Sequence, residues 1–195
     1  RILGESFTDY YLYNRPPYFA YIFFSLSYLP YVTSYILWSC LSFAALWASL
    51  CLLSGPKTKY YFVWALAWLP VFTAISYGQT SFYGLFVFCL GYWLWRKKCF
   101  FLSGFVFSLA LDKPQLLAGV LLYFLLEWKK NLRVLLGFAA GALLLIAVSW
   151  AFQPAASERF LRLVLREFPN MIRSPGFPLE KLYFAFGIVS CESLS

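Results

Sequence analysis

The side chains best suited to bind an anion lie in a polar interruption of an apolar segment. Asp112, Lys113 and Gln115 surround Pro114, in the middle of the apolar run from Cys99 to Leu126. An ammonium group pairs with phosphate or carboxylate. We expect Lys113 to hold Asp112 ionised, which suits a positioning role better than proton transfer. This interruption is the first candidate binding site.

Two further interruptions carry groups that can bind polar ligands. Gln79 offers an amide donor and acceptors, as sugar hydroxyls require, and Gly78 allows the backbone to approach a ligand closely. A structural turn with a solvated amide explains the same pair of residues. Near the beginning of the chain, Arg15 can pair with an anion beside the amide of Asn14.

Three arginines recur on one side of a predicted helix. Arg159, Arg162 and Arg166 follow one another at spacings of three and four, opposite an apolar face. We predict an amphipathic helix over 158–168, capped by Ser157 and lying in the membrane interface. Its arginines can hold phosphate at the headgroup level, although simple attraction to anionic headgroups explains them too.

The elements that position these groups are predicted to be short helices. One straight helix from Cys99 to Leu126 would be roughly 42 Å long and would place opposite charges near the bilayer centre. We therefore predict a hairpin at Pro114, with two helices of about 13 residues each. Its apex would lie at the far surface or line a wet cavity. A charged loop between two ordinary spans is the alternative.

The composition indicates a membrane protein. Hydrophobic residues make up 62% of the 195 residues, charged residues 12%, and the mean hydropathy is +0.70. The sequence contains no histidine and its five cysteines form no CxxC pair, which excludes Cys/His metal sites and a Ser-His-Asp triad. The net charge of +8 is spread over short loops, so topology explains it better than nucleic acid does.

The apolar pattern predicts an all-α, polytopic transmembrane bundle with short re-entrant or broken helices. We treat 1–195 as a single transmembrane domain and as a piece of a longer chain. It comprises an outer loop at 1–16, membrane helices over 17–152, an outer loop over 153–181, and the start of a further span at 182–195. Spans are predicted at 31–53, 60–76, 82–95 and 132–152, and a shorter edge helix at 17–28 ends in a kink at Pro30. In the last span Gly137 and Gly141 form a Gly-x-x-x-Gly pattern, typical of close helix packing and sometimes of dimerisation.

The distribution of charge predicts the orientation of the chain. One set of loops carries eight basic residues against Glu127 alone, whereas the other loops carry eight basic and seven acidic residues. The first set comprises Lys57, Lys59, Arg96, Lys97, Lys98, Lys129, Lys130 and Arg133. The positive-inside rule places this set in the cytoplasm. The polar interruptions then converge on the outer face of a plasma-membrane protein, where they form the candidate site.

The order of these features resembles glycosyltransferase family 87. The carriers of the resemblance are Tyr13-Asn14-Arg15-Pro16-Pro17, Leu29-Pro30, Trp38, Tyr77-Gly78-Gln79-Thr80-Ser81, Gly104 and Lys113-Pro114, with basic turns between them. It covers about residues 10 to 150. The family's usual Asn-Tyr-Pro-Pro reads Asn14-Arg15-Pro16-Pro17 here, and Thr80 stands where Val or Ile is common.

The resemblance implies a GT-C fold and the transfer of a hexose, expected to be mannose. The donor would be a polyprenyl-phosphate sugar, the acceptor a lipid or glycan, and the reaction would invert the anomeric carbon without a nucleotide sugar, cofactor or metal. The expected catalytic Asp would lie upstream of Arg1, so no base is assigned here. Gln79 and Lys113 would contact the substrate, Lys113 at the donor phosphate. The alternatives are a transporter or lipid flippase with its site at broken helices, and a non-catalytic subunit.

Overall fold

The described part of the chain is helical throughout. The computed structural model describes residues 16–162 and 165, and these residues contain nine α-helices, two 3₁₀ turns and no strand. The all-α prediction is therefore confirmed for this part of the chain. Asn14, Arg15 and Arg166 lie outside the described residues, as do residues 1–15 of the loop predicted at 1–16 and the span predicted to begin at 182.

Prolines begin several of the helices. The helices α1 (Pro17–Phe24), α7 (Pro114–Leu126) and α9 (Pro154–Arg162) start with proline, and α2 (Tyr31–Ser54) follows Pro30. The first helical position tolerates proline because its missing N–H would have no partner within the helix. A 3₁₀ turn at Ser25–Tyr28 joins α1 to α2, as the predicted kink requires.

The chain reverses after α2 and then breaks again. Gly55 adopts a φ of 55° in the 3₁₀ turn Gly55–Lys57, and α3 (Thr58–Leu66) folds back so that Phe62 contacts Trp47 at 5.0 Å between ring centroids. The prediction of one continuous span over 60–76 is wrong. It divides into α3 and α4 (Leu69–Ser76) because Pro70 cannot continue a helix.

The predicted hairpin is present, with unequal arms. α5 (Ser81–Arg96) ends at a basic turn that contains Lys97 and Lys98. The two arms of the hairpin that follows are α6 (Phe100–Ser108), with nine residues, and α7, with 13. Turns over 109–113 separate the two arms. Ser103 on α6 donates a buried hydrogen bond to the Gly91 carbonyl of α5 at 2.7 Å, which fixes these two helices together.

Close contact between α6 and α8 (Trp128–Phe152) depends on glycine. A Cβ atom on Gly104 would overlap the Val134 carbonyl, and one on Gly137 would overlap the Phe101 carbonyl. Gly141 packs in the same way against the side chain of Ser108. The Gly-x-x-x-Gly face is thus covered by α6 of the same chain, as close packing predicts, and it is not open for the dimerisation that the pattern also allowed.

Two helical stretches of the described chain are long and apolar enough to cross a membrane. They are Tyr31–Leu66, which contains α2, and Trp128–Phe152, which is α8. Only 17% and 22% of their apolar windows are buried, whereas the core helix of a soluble protein would be mostly buried. The predicted spans at 31–53 and 132–152 match these stretches. The remaining helices are shorter than the roughly 20 residues needed to cross alone.

The helix after α8 begins earlier than predicted. α9 starts at Pro154, so Ser157 lies inside the helix and is only 5% exposed; its assignment as the N-cap is wrong. Proline at the first position fixes the start, and the Ser157 amide already bonds to the Gln153 carbonyl. Arg159 and Arg162 are exposed, and Arg162 pairs with Glu158 one turn earlier.

Candidate functional site

Two of the predicted polar interruptions meet in the structure. The Lys113 ammonium donates a hydrogen bond to the Ser81 hydroxyl at 3.4 Å, across 32 residues of sequence. The same hydroxyl donates to Oε1 of Gln79 at 3.2 Å. Ser81 therefore links the amide of one interruption to the ammonium of the other. We call these three side chains the Lys113 cluster.

The interruption before α5 is held in place by α2. Gly78 adopts a φ of 60°, a conformation that other L-residues rarely adopt. Its carbonyl accepts a hydrogen bond from the indole Nε1 of Trp38 at 3.1 Å. The backbone N–H of Gln79 donates a hydrogen bond to the Ala74 carbonyl at 2.8 Å, just after the end of α4. The backbone of Gln79 is thus fixed from two sides.

The apex of the hairpin is fixed by local turns and by α5. The amide of Lys113 donates to the Ala110 carbonyl at 3.0 Å, and the hydroxyl of Tyr83 donates to the Leu109 carbonyl at 3.3 Å. Asp112 is only 8% exposed, and Lys113 is half-buried. Short turns and one long-range hydrogen bond therefore keep both charged residues beside the start of α5.

The Lys113 cluster lies below the ends of the long helices. Ser108 ends α6 against Gly141, which lies about 16 Å along α8 before that helix ends at Phe152. On the other side, Trp38 lies about 10 Å along α2 from its start at Tyr31. Both interruptions are therefore recessed. Whether the apex lies at the far surface or lines a wet cavity stays a prediction.

The short helix α1 packs above this region. The ring of Phe19 is 1% exposed and contacts Tyr83 at 5.9 Å between centroids. At the other side of α1, Tyr21 contacts Phe152 at 5.9 Å. The helix thus bridges the start of α5 and the end of α8, although eight residues are too few to cross a membrane.

The cluster combines positive groups that can attract an anion with the neighbouring carboxyl group of Asp112, which is buried. α5 and α7 both begin beside Lys113, and the N-terminus of a helix carries partial positive charge on its unpaired N–H groups. The ammonium adds a full charge in a partly desolvated position, where screening is weak. No group of three His, Cys, Asp or Glu side chains that could hold a metal ion occurs within 16–162.

The structure separates the predicted site residues into two groups. Gly78, Gln79, Asp112 and Lys113 lie at the cluster, and Gln115 is exposed in the first turn of α7. The described arginines Arg159 and Arg162 lie on α9 instead. Contact with substrate remains a prediction for both groups.

Sequence reasoning missed three residues that build the cluster. Ser81, Trp38 and Tyr83 supply the hydrogen bonds that fix it. The sequence did contain a clue to Ser81, because this serine follows Gln79 by two residues and stands at the start of a helix. The hydrogen bonds of Trp38 and Tyr83 follow from the packing of α2 and of the hairpin on α5, which no local pattern encodes.

The comparisons with known proteins give one result. The family model of Glycosyltransferase family 87 matches residues 11–182. This range contains both interruptions, the hairpin and the glycines of α6 and α8, and it extends the resemblance beyond residue 150. No curated protein and no solved structure matches the chain.

Proposed function

The chain belongs to glycosyltransferase family 87, and we propose that it transfers a hexose from a polyprenyl-phosphate donor to a lipid or glycan acceptor. The family implies a glycosyltransferase with a sugar donor and an acceptor, and two apolar helices together with the family indicate a membrane protein. The observation that carries the finer proposal is the link from Lys113 through Ser81 to Gln79 in a recess between the helices.

Lys113 is proposed to bind the phosphate of the donor. A phosphodiester that links sugar to prenol keeps one negative charge, which pairs with an ammonium group. The N-termini of α5 and α7 add backbone N–H groups, whose partial positive charge also attracts a phosphate. A charge recessed below the ends of α2 and α8 suits a ligand that stays in the lipid layer. Asp112 is assigned to positioning.

Gln79 is proposed to bind sugar hydroxyls. A carboxamide offers both a donor and an acceptor, so it can match an O–H group in either direction. The Ser81 hydroxyl occupies Oε1 of Gln79 and orients the amide. Because Gly78 has no Cβ, its backbone leaves room for the sugar ring beside it.

The other parts of the proposal concern lipid and orientation. The prenyl chain would lie against the exposed apolar faces of the helices, where side chains such as Leu143 and Phe152 are 67% and 73% exposed. Arg159 and Arg162 would hold phosphate at the headgroup level. We propose a polytopic GT-C architecture in the plasma membrane with the cluster facing outside. The hexose is proposed to be mannose, transferred with inversion of its anomeric carbon.

A transporter or lipid flippase is the second candidate. One observation favours it: ionisable residues in a recess between helices also form substrate sites in transporters. The family weighs against it, because the match to a glycosyltransferase family covers the recess itself.

The decisive experiment compares donors. The full-length protein in liposomes would receive radiolabelled mannose either as polyprenyl-phosphate mannose or as a nucleotide-linked mannose, with membrane lipid extract as the source of acceptor. Transfer from the lipid donor alone supports the proposal. Transfer from the nucleotide donor, or movement of the donor across the bilayer without glycosidic transfer, overturns it.

A further inference from the structure

Two of the basic turns carry positive charge that no carboxylate within either turn balances. The first turn, over 55–59, follows α2, and the second, over 96–98, lies at the end of α5. Neither turn contains an Asp or a Glu. All five basic side chains are exposed: Lys57 and Lys59 in the first turn, and Arg96, Lys97 and Lys98 in the second. Such a concentration of one sign of charge attracts anions.

The structure brings these two turns together, because α2 and α5 run parallel and in register. Trp38 on α2 donates to the carbonyl of Gly78, just before α5, and further along Ser49 on α2 lies within hydrogen-bonding reach of Cys89 on α5. Both helices advance eleven residues between these contacts. α2 then ends after five more residues and α5 after seven, so their ends differ in height by only about 3 Å.

Neighbouring groups leave most of this positive charge uncompensated. The C-terminal ends of α2 and α5 each carry roughly half a negative charge, against five full positive charges on the two turns. Glu127, which precedes α8, pairs with Lys130 at 3.4 Å. The second turn also holds Lys98 at a φ of 62°, where glycine would meet no steric conflict. This turn therefore carries its third charge at a steric cost.

Aromatic rings hold two of the ammonium groups close to the helices. Nζ of Lys59 lies 5.4 Å from the ring centroid of Tyr60, and Nζ of Lys97 lies 5.6 Å from that of Trp93. Tyr and Trp are enriched where a membrane meets water, at the depth of the lipid headgroups. A lysine over such a ring keeps its charge at this depth instead of extending it into water. The charge of the two turns is thus placed for a ligand at the membrane surface.

We propose that these two turns form a binding site for an anionic phospholipid in the leaflet on their side of the membrane. Its phosphate would lie among the basic side chains. Its acyl chains would follow the apolar flanks beside the first turn, where Leu53 and Val63 are 52% and 67% exposed. A soluble acidic partner would use the charge but not these flanks. The proposal depends on the packing of α2 on α5 and is independent of sugar transfer at the Lys113 cluster.

The test measures lipid binding directly. Native mass spectrometry would follow the full-length protein in detergent during titration with phosphatidylglycerol, which is anionic, or phosphatidylcholine, which is zwitterionic. One basic residue near anionic headgroups contributes roughly a factor of five in affinity. The double variant Arg96→Gln, Lys97→Gln should therefore weaken phosphatidylglycerol binding about 5- to 25-fold and leave phosphatidylcholine binding unchanged. Lys57→Gln with Lys59→Gln, in the other turn, should act in the same direction.

Matched variants make the result specific. Lys130→Gln with Arg133→Gln removes the same charge from the exposed start of α8 and should weaken phosphatidylglycerol binding by less than about twofold, because screening limits attraction from a distance. Arg96→Lys with Lys97→Arg keeps the charge of the turn and should bind as the wild type does. The thermal unfolding midpoint of each variant in detergent confirms that it is folded, as expected for changes of exposed side chains.

Three outcomes would overturn the proposal. Equal weakening by the α5 pair and the α8 pair would show general attraction of charge instead of a site. Wild-type binding of phosphatidylglycerol by both turn variants would remove the turns from any lipid site. Inorganic phosphate that displaces the lipid more strongly than sodium chloride of equal ionic strength would assign the surface to free phosphate. None of these outcomes bears on the transfer reaction, so the proposed function would stand.

Discussion

The Lys113 ammonium lies 3.4 Å from the Ser81 hydroxyl, although the two residues belong to different interruptions of the apolar sequence. Each interruption alone is compatible with an ordinary loop. Their contact brings an ammonium, a hydroxyl and an amide together in a recess below the ends of α2 and α8. Within a membrane, polar and ionisable groups are tolerated only where protein or water surrounds them, which makes these three side chains candidates for a functional site.

The first prediction concerns the charge of Lys113. Lys113→Ala should lower kcat/KM for the polyprenyl-phosphate donor about 10- to 100-fold, the range for loss of a charge-assisted hydrogen bond. The measurement is the initial rate of radiolabelled sugar transfer in liposomes. Lys129→Ala serves as control, since that lysine lies at the start of α8 over Trp128. Equal rates for Lys113→Ala and wild type would remove Lys113 from the site.

The second prediction concerns the link through Ser81. Ser81→Ala should reduce transfer about 3- to 10-fold, because it leaves the ammonium and the amide without their common partner. In a double-mutant cycle Ser81→Ala should have little further effect once Lys113 is alanine. The rates of the two single variants and the double variant give the coupling. Strictly additive effects would show that Ser81 does not act through Lys113.

The third prediction concerns the backbone of Gly78. Gly78→Ala should destabilise the protein by about 1–2 kcal/mol, since its φ of 60° is unfavourable for a residue with a Cβ. It should also lower the specific activity of the folded fraction, because Gln79 is displaced. Gly55→Ala, at a φ of 55° beside the turn Gly55–Lys57, should destabilise without changing specific activity. Thermal unfolding in detergent and the transfer assay measure the two effects, and a Gly78 variant with wild-type specific activity would contradict the assignment.

Local sequence rules predicted most element boundaries. Proline at a first helical position and glycine with a positive φ act within a few residues, so the starts of α1 and α7 and the turn at Gly55 could be read directly. The same rule was available at Pro70, inside the run predicted as one span. It was also available at Pro154, where it overrides Ser157 as the helix start.

The depth of the site could not be predicted from the sequence. It follows from the register between α6 and α8, which is set by contacts such as Gly104 with Val134 and Gly141 with Ser108. A hydropathy pattern gives the length of each helix but not its offset from a neighbour. The same limit explains why Trp38 and Tyr83 were missed, since both act through partners at least 26 residues away.

The fourth prediction tests that register. Gly104→Ala should destabilise the protein by about 1–3 kcal/mol or more, because its Cβ would overlap the Val134 carbonyl and the backbones would have to separate. Gly119→Ala is the matched control on α7, where nothing lies within 4 Å of the added carbon. It should stabilise by about 0.5–1 kcal/mol through helix propensity. The measurement is the thermal unfolding midpoint of each variant in detergent. Similar shifts of the midpoint for both variants would argue against close packing of α6 on α8.

The fifth prediction tests the common compartment of the two interruptions. In a variant whose cysteines are replaced by serine, Gln79→Cys and Lys113→Cys should both react with a membrane-impermeant thiol reagent added from outside intact cells. Lys97→Cys and Lys129→Cys, in the basic turns that the positive-inside rule assigns to the cytoplasm, should react only after permeabilisation. Because Lys113 is intact in the Gln79→Cys variant, added polyprenyl phosphate should slow labelling at position 79. Labelling of positions 79 and 113 from opposite sides would contradict their hydrogen-bonded link through Ser81 and, with it, the proposed site.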